Sequence, residues 1–181
     1  MDELTLEAKE KMAKTIEALR EQLVTLRTGR ANASMLNKVM VDYYGTPTPV
    51  YQMSSISVPE PRQLIIKPFD KNDVKNVVAA IYASDLGLTP INEGVQVRLN
   101  IPPLTEDRRR EITKQARRYG EDAKVAVRNI RREYMELVKI DDTMSEDYQK
   151  RVEEEIQKAT DEACKEIDAI VEAKEKEIMT V

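Results

Sequence analysis

The chain predicts an α+β protein, an elongated three-helix bundle with a small mixed α/β, strand-rich domain inserted between its first and second helices. Three observations lead there. Residues near both ends repeat apolar side chains at steps of three and four, the period of a helix with one buried stripe. The middle alternates apolar and polar residues with period two, the period of a half-buried strand. All eight prolines lie between Pro47 and Pro103, and four of the five glycines lie between Gly29 and Gly94, so turns are confined to that middle region.

Residues 1–28 form the first predicted helix, with Met12, Ile16, Leu19, Leu23 and Leu26 on one face and neither Gly nor Pro before Gly29. In the middle, Val39, Val41 and Tyr43 alternate as a strand that stops at Gly45-Thr46-Pro47. By the same alternation one of Tyr43 and Tyr44 is expected in the core. Val50 to Met53, Ser57-Val58 and Leu64 to Lys67 suggest further short strands, and Val95, Val97 and Leu99 another. Asp70 to Ala83 reads as a helix, with Asp70 as N-cap and Val74, Val77, Val78 and Ile81 on one face. The second long helix starts at Thr105, a capping residue followed by Glu106 and Asp107, which suit the positive end of the helix dipole. Its expected inner face is Ile112, Ala116, Tyr119, Ala123, Ala126, Ile130 and Leu137, with Gly120 tolerated at a cost of about 1 kcal/mol. Asp141, Asp142 and Thr143 break the pattern. A third helix runs from about Ser145 with Val152, Ile156, Ala159, Ala163, Ile167 and Ile170 inward.

Helices of this length reach on the order of 50 Å at 1.5 Å per residue, and each has one apolar side, so three must pack together to bury all three stripes. The expected domains are 1–29 plus 105–181 for the bundle and 31–104 for the insertion. The crossings, 29–34 and 102–104, have a hinge's composition: Gly29 and Ala31 in one, Pro102 and Pro103 in the other. Two short adjacent crossings restrict motion mainly to rotation.

The total charge of −4 hides an uneven distribution. Residues 105–140 carry a net +4 and residues 141–181 a net −8, so an acidic protein holds one basic segment suited to a polyanion. At 100° per residue, Arg110, Lys114, Arg117, Lys124, Arg128, Arg131 and Arg132 occupy a band about 100° wide, opposite the expected apolar face. Arginine dominates, and its planar fork matches phosphate oxygens. Such a ridge can track a nucleic-acid backbone. By pattern alone a plain solvated face is the commoner explanation, and a protein-interaction module facing an acidic surface is a further alternative. Tyr43-Tyr44 beside Gly45 could stack on unpaired bases, although a structural role is the commoner reading of such a pair.

Catalytic chemistry finds little support. The chain has no His, and its single Cys, Cys164, sits on a helix among spacer positions. No phosphate-cradling Gly-rich loop with a Lys is present. A metal-dependent hydrolase using carboxylates of the third helix is the remaining enzymatic alternative. We expect no enzyme activity, no metal and no cofactor. The first ten residues are charged, which argues against a secretory leader, and no apolar run is long enough to span a membrane; a cytoplasmic protein without membrane contact is expected.

Five segments in register resemble the ribosome recycling factor family: Leu26-Arg27-Thr28-Gly29-Arg30-Ala31, Val41-Asp42-Tyr43-Tyr44-Gly45-Thr46-Pro47-Thr48-Pro49, Ala83-Ser84-Asp85-Leu86-Gly87-Leu88, Pro102-Pro103-Leu104-Thr105-Glu106-Asp107-Arg108-Arg109 and Val125-Ala126-Val127-Arg128-Asn129-Ile130-Arg131-Arg132. The resemblance spans essentially the whole chain. It implies an L-shaped monomer that binds the post-termination ribosome and, with elongation factor G and that partner's GTP hydrolysis, helps separate the subunits. It also implies that large-subunit ribosomal RNA is met through the Arg-Asn-x-Arg-Arg motif, with Arg131 as anchor. Arg128 and Arg132 are then flanking contacts, Arg110, Lys114 and Arg117 a phosphate-tracking row, and Arg27 and Arg30 secondary candidates.

Overall fold

A computed structural model describes residues 1–180. The chain divides into two compact units, Met1–Thr28 with the segment from Thr105 onward, and Gly29–Leu104.

The first unit is three helices: α1 (Glu3–Val24), α4 (Glu106–Ile140) and α5 (Glu146–Met179). Each N-terminus is closed by an oxygen side chain: Asp2 accepts from the Leu4 amide, Thr105 from that of Arg108 and Ser145 from that of Tyr148. The turn between α4 and α5 is tied from both sides. Asp141 accepts from the Thr143 amide at 2.9 Å, and Gln149 of α5 donates to the carbonyls of Val138 and Asp141 at 3.0 Å each. A side chain of one helix thus satisfies carbonyls left over at the end of the other.

All three helices pack against one another. The core draws on Ala8, Met12, Ile16, Leu19 and Leu23 from α1, and on Val152, Ile156, Ala159, Ala163, Ile167, Val171 and Ile178 from α5. The α1 stripe agrees with the periodic reading, and Leu26 stays buried past the helix end. On α5 the inner position goes to Val171 rather than Ile170, which is half-buried.

The α4 stripe departs further. Its buried residues are Ile112, Thr113, Ala116, Gly120, Ala123, Val127, Tyr134 and Val138, whereas Tyr119, Ala126 and Ile130 are half-buried and Leu137 is exposed. The buried face is turned by roughly 50° from the expected one. Val127, Tyr134 and Val138 take the inner places expected for Ala126, Ile130 and Leu137, and they are joined by Thr113 and Gly120, contact residues that an apolar count passes over. Thr113, Gly120, Val127 and Tyr134 stand seven apart, the repeat of left-handed helix pairs. At Gly120 the Val171 side chain packs directly on the α4 backbone: a Cβ there would lie 2.5 Å from Val171 Cγ2. Gly120 is therefore a requirement of the α4–α5 seam rather than a tolerated flaw.

The second unit contains a hairpin of β1 (Met40–Tyr43) and β2 (Thr46–Pro49), one helical turn α2 (Val50–Met53), β3 (Ser54–Glu60), β4 (Gln63–Pro68), α3 (Val74–Ala83), β5 (Pro90–Asn92) and β6 (Val97–Asn100). The last four strands form an antiparallel sheet in the order β3-β4-β6-β5. Its core joins Leu64, Ile66, Val97 and Leu99 of the sheet to Val74, Val77 and Ile81 of α3, with Leu36, Val39, Val41, Val50 and Met53. Residues 50–53, a strand by composition, form a helical turn instead. The pair that must be buried, Val50 and Met53, is three apart and not two. Val95 is exposed and precedes its strand, and Asp70 caps a short 3-10 turn, Lys71–Asp73, ahead of α3.

The β1–β2 loop is the two-residue Tyr44-Gly45, with φ of 51° and 81°, the left-handed pair of a type I′ turn. Asp42 accepts from the Gly45 amide at 2.8 Å and holds it. Neither tyrosine enters the core, contrary to the alternation. Val41 is the last inward residue of the strand, and Tyr43 and Tyr44 are 39% and 83% exposed, with rings edge to face at 4.6 Å.

Both close positions bear on stability. Gly120→Ala gains about 1 kcal/mol of helix propensity but overpacks Val171, at about 1–3 kcal/mol. The single variant should lower the denaturant midpoint, while in a Val171→Ala background the same change should raise it. Tyr44→Asn places a residue that tolerates the left-handed region ahead of Gly45 and should stabilise by about 1 kcal/mol in the same assay.

Candidate nucleic-acid interface

The ridge lies on α4, the helix whose apolar face is shared with two neighbours. Because the buried face is turned, the ridge is not diametrically opposite the core. One flank of it, Lys124 and Arg131, falls against α5; the other, Lys114 and Arg132, points away. The structure therefore separates the seven cations by what they touch.

Three are tied to carboxylates. Arg110 pairs with Glu106 at 2.7 Å, one turn earlier on the same helix. Arg117 reaches across to Glu175 of α5. Lys124 sits between Asp168 of α5 and Glu121 of its own helix, 2.9 Å from each, with its side chain only 16% exposed. The bonds to Asp168 and then Glu121 raise the Lys124 ammonium above its ordinary value of 10.5, against a smaller opposing effect of burial. These charges are spent within the bundle, at contacts that surface exposure keeps individually weak for Arg110 and Arg117.

The others have no carboxylate paired to them among the described residues. Lys114, Arg128 and Arg132 are exposed and make no ion pair among the described residues. Arg131 is half-buried at the α4–α5 seam. One terminal nitrogen donates to Gln157 Oε1 at 3.1 Å, and its Nε is buried with no acceptor. Nearby acids do not compensate this group: Glu133 is bound by Lys11 of α1 at 3.1 Å, on the other side of the helix. Arg128, Arg131 and Arg132 thus form, within little more than one helical turn, a cluster of three guanidinium groups with no carboxylate paired to any of them among the described residues. That is the arrangement suited to phosphate oxygens, which offer charge-assisted and bidentate acceptors.

Arg27 follows α1 in the bundle unit and Arg30 opens the α+β unit, and both are exposed. Sequence reasoning missed the α5 side of the seam. Asp168 and Glu175 stand seven apart, opposite Lys124 and Arg117, which also stand seven apart. That matched spacing was the available signal. Among the described residues no three His, Cys, Asp or Glu side chains are grouped to hold a metal ion, and no helix is long and apolar enough to cross a membrane.

A model of the ribosome recycling factor family matches residues 19–179. The ribosome-recycling factor of Geobacillus kaustophilus (strain HTA426) is 54% identical over 178 residues, 97% of this chain and 96% of that protein. A solution structure of a ribosome recycling factor superposes with a TM-score of 0.80 at 41% identity, covering 100% of both chains. A second structure, described as models for the T. thermophilus ribosome recycling factor and the E. coli elongation factor G bound to the E. coli post-termination complex, matches at a TM-score of 0.64 and 44% identity over 98% of each chain. The same sequence that leaves three arginines uncompensated on one helix runs in register with these relatives from end to end, and the chain belongs to the ribosome recycling factor family.

Proposed function

We propose that this chain acts as a cytoplasmic monomer that docks on the post-termination ribosome through large-subunit ribosomal RNA. Together with elongation factor G, and driven by that partner's GTP hydrolysis, it promotes separation of the subunits so that a new round of translation can begin. The chain supplies binding and leverage; the chemical step belongs to the GTPase. The observation that carries the reading is the cluster of Arg128, Arg131 and Arg132, free of carboxylates on a ridge where three of the other four cations, Arg110, Arg117 and Lys124, are paired. Membership of the family supports the ribosome as the target, and the T. thermophilus relative bound with elongation factor G supports that partner.

Arg131 is the anchor, with Arg128 and Arg132 beside it and Lys114 as an outlying contact. Arg110 and Arg117 contribute only if their carboxylates are displaced, and Arg27 and Arg30 remain secondary contacts. The crossings at 29–34 and 102–104, with Gly29, Ala31, Pro102 and Pro103, serve as the hinge. Gly29 takes φ of 77° and a Cβ on it would lie 3.2 Å from Leu104 Cγ, so the two crossings run side by side at the base of the second unit.

Four uncompensated cations set the expected salt response. By the behaviour of duplex DNA, four phosphate contacts weaken binding on the order of 100-fold between 50 and 200 mM salt, less than a fully free row of seven would give. Arg131→Ala should lower ribosome affinity about tenfold at moderate salt, the worth of one charge-assisted contact, as read by co-sedimentation. A variant that pellets with ribosomes like the parent would remove Arg131 from the interface. Survival of the complex after nuclease digestion of the RNA would instead favour docking on an acidic protein surface.

A further inference from the structure

The α4–α5 seam is a ladder with a regular step, and its last rung is altered. Arg117 faces Glu175, and seven residues along α4 Lys124 faces Asp168, seven residues back along α5. One more step in each direction sets Arg131 opposite Asp161. By the repeat, these two should form a third ion pair. They do not. Arg131 donates to Gln157 Oε1 at 3.1 Å, and Gln157 Nε2 donates to Asp161 Oδ1 at 3.0 Å. The amide stands between the cation and the carboxylate that would have neutralised it.

The chemistry of the three groups leaves one orientation for that amide. A guanidinium only donates and a carboxylate only accepts, so the carbonyl oxygen of Gln157 must face Arg131 and its NH₂ must face Asp161. The carboxylate polarises the amide and strengthens its oxygen as an acceptor. Gln157 itself carries no charge, and the charge of Arg131 is therefore left uncompensated. The half-buried position and the fixed bond also limit the rotamers of a side chain that is otherwise costly to order.

We infer that, given docking of Arg131 on RNA as proposed above, Gln157 is a positioning residue that aims the guanidinium and insulates it from Asp161. It touches Arg131 and Asp161, and acts on RNA binding through them. Loss of the amide exposes Arg131 to Asp161, and the ladder completes its third ion pair at the expense of the RNA contact.

The test is ribosome binding across a salt series for Gln157→Leu, Gln157→Leu/Asp161→Asn, Gln157→Glu and Arg131→Ala, with thermal melts to establish folding. Gln157→Leu should weaken binding roughly tenfold and lower the slope of log affinity against log salt by about one, as loss of a single phosphate contact does. Asp161→Asn in that background should restore most of the affinity and the slope, because the competing charge is gone. Gln157→Glu, which keeps the shape and the helix, should match Gln157→Leu in both readouts and serves alone should the Leu variant not fold. If Arg131→Ala binds weakly while Gln157→Leu and Gln157→Glu bind like the parent, the insulating role is wrong and the docking site stands. A Gln157→Leu defect that Asp161→Asn does not relieve would overturn the insulating role in the same way. If Arg131→Ala binds like the parent, the docking site itself is wrong and Gln157 loses its role with it.

Discussion

The close approach of α4 to α5 at Gly120 and Val171 sets which way α4 is turned, and much else depends on that rotation. A Cβ at residue 120 would sit 2.5 Å from Val171 Cγ2, so the valine side chain occupies the space that any larger residue at 120 would need. With Gly120 at the contact, Thr113, Val127 and Tyr134 take the equivalent places at seven-residue steps, and the basic side of the helix is carried toward α5 along one flank. Had Tyr119, Ala126, Ile130 and Leu137 formed the inner face as the period suggests, the ridge would have lain opposite the core.

The rotation has an electrostatic consequence. An acidic helix packed beside a basic one neutralises what it can reach, and here it reaches Arg117 and Lys124 through Glu175 and Asp168. Toward the other end of α4 the pairing lapses. Arg128 and Arg132 point away from α5, and Arg131, which does not, meets a neutral amide. A contact surface for phosphate is thereby concentrated over a short stretch, instead of spread along a 35-residue helix. Concentration favours a defined register on a folded RNA, since a uniform row of charge can slide along a backbone where a cluster cannot.

Much of this was legible in the chain itself. The stripe of Met12, Ile16, Leu19 and Leu23 and the cap at Thr105 give the helices directly, because period and capping are local properties. The strands at Val97-Leu99 and Leu64-Lys67 are legible for the same reason. What escaped was relational. Gly120 reads as a local cost until Val171 lies against it. Val50 to Met53 reads as a strand until burial demands a three-residue spacing. Tyr43 and Tyr44 read as half core until the hairpin extends past the last buried residue, Val41. The cationic band is visible at once, but which of its members near α5 are paired depends on Glu175, Asp168 and Gln157, residues more than twenty positions away in sequence. Their matching seven-residue step is the trace of that partnership in the chain.

The central claim is that the free charge for RNA lies at the Arg128–Arg132 end of the ridge. The most direct measurement compares the salt dependence of ribosome binding for two triple variants, Arg128→Gln/Arg131→Gln/Arg132→Gln and Arg110→Gln/Arg117→Gln/Lys124→Gln. The account predicts that the first flattens the log–log slope by about three and the second changes it by less than one. Equal flattening by both, or a larger effect from the second, would contradict it.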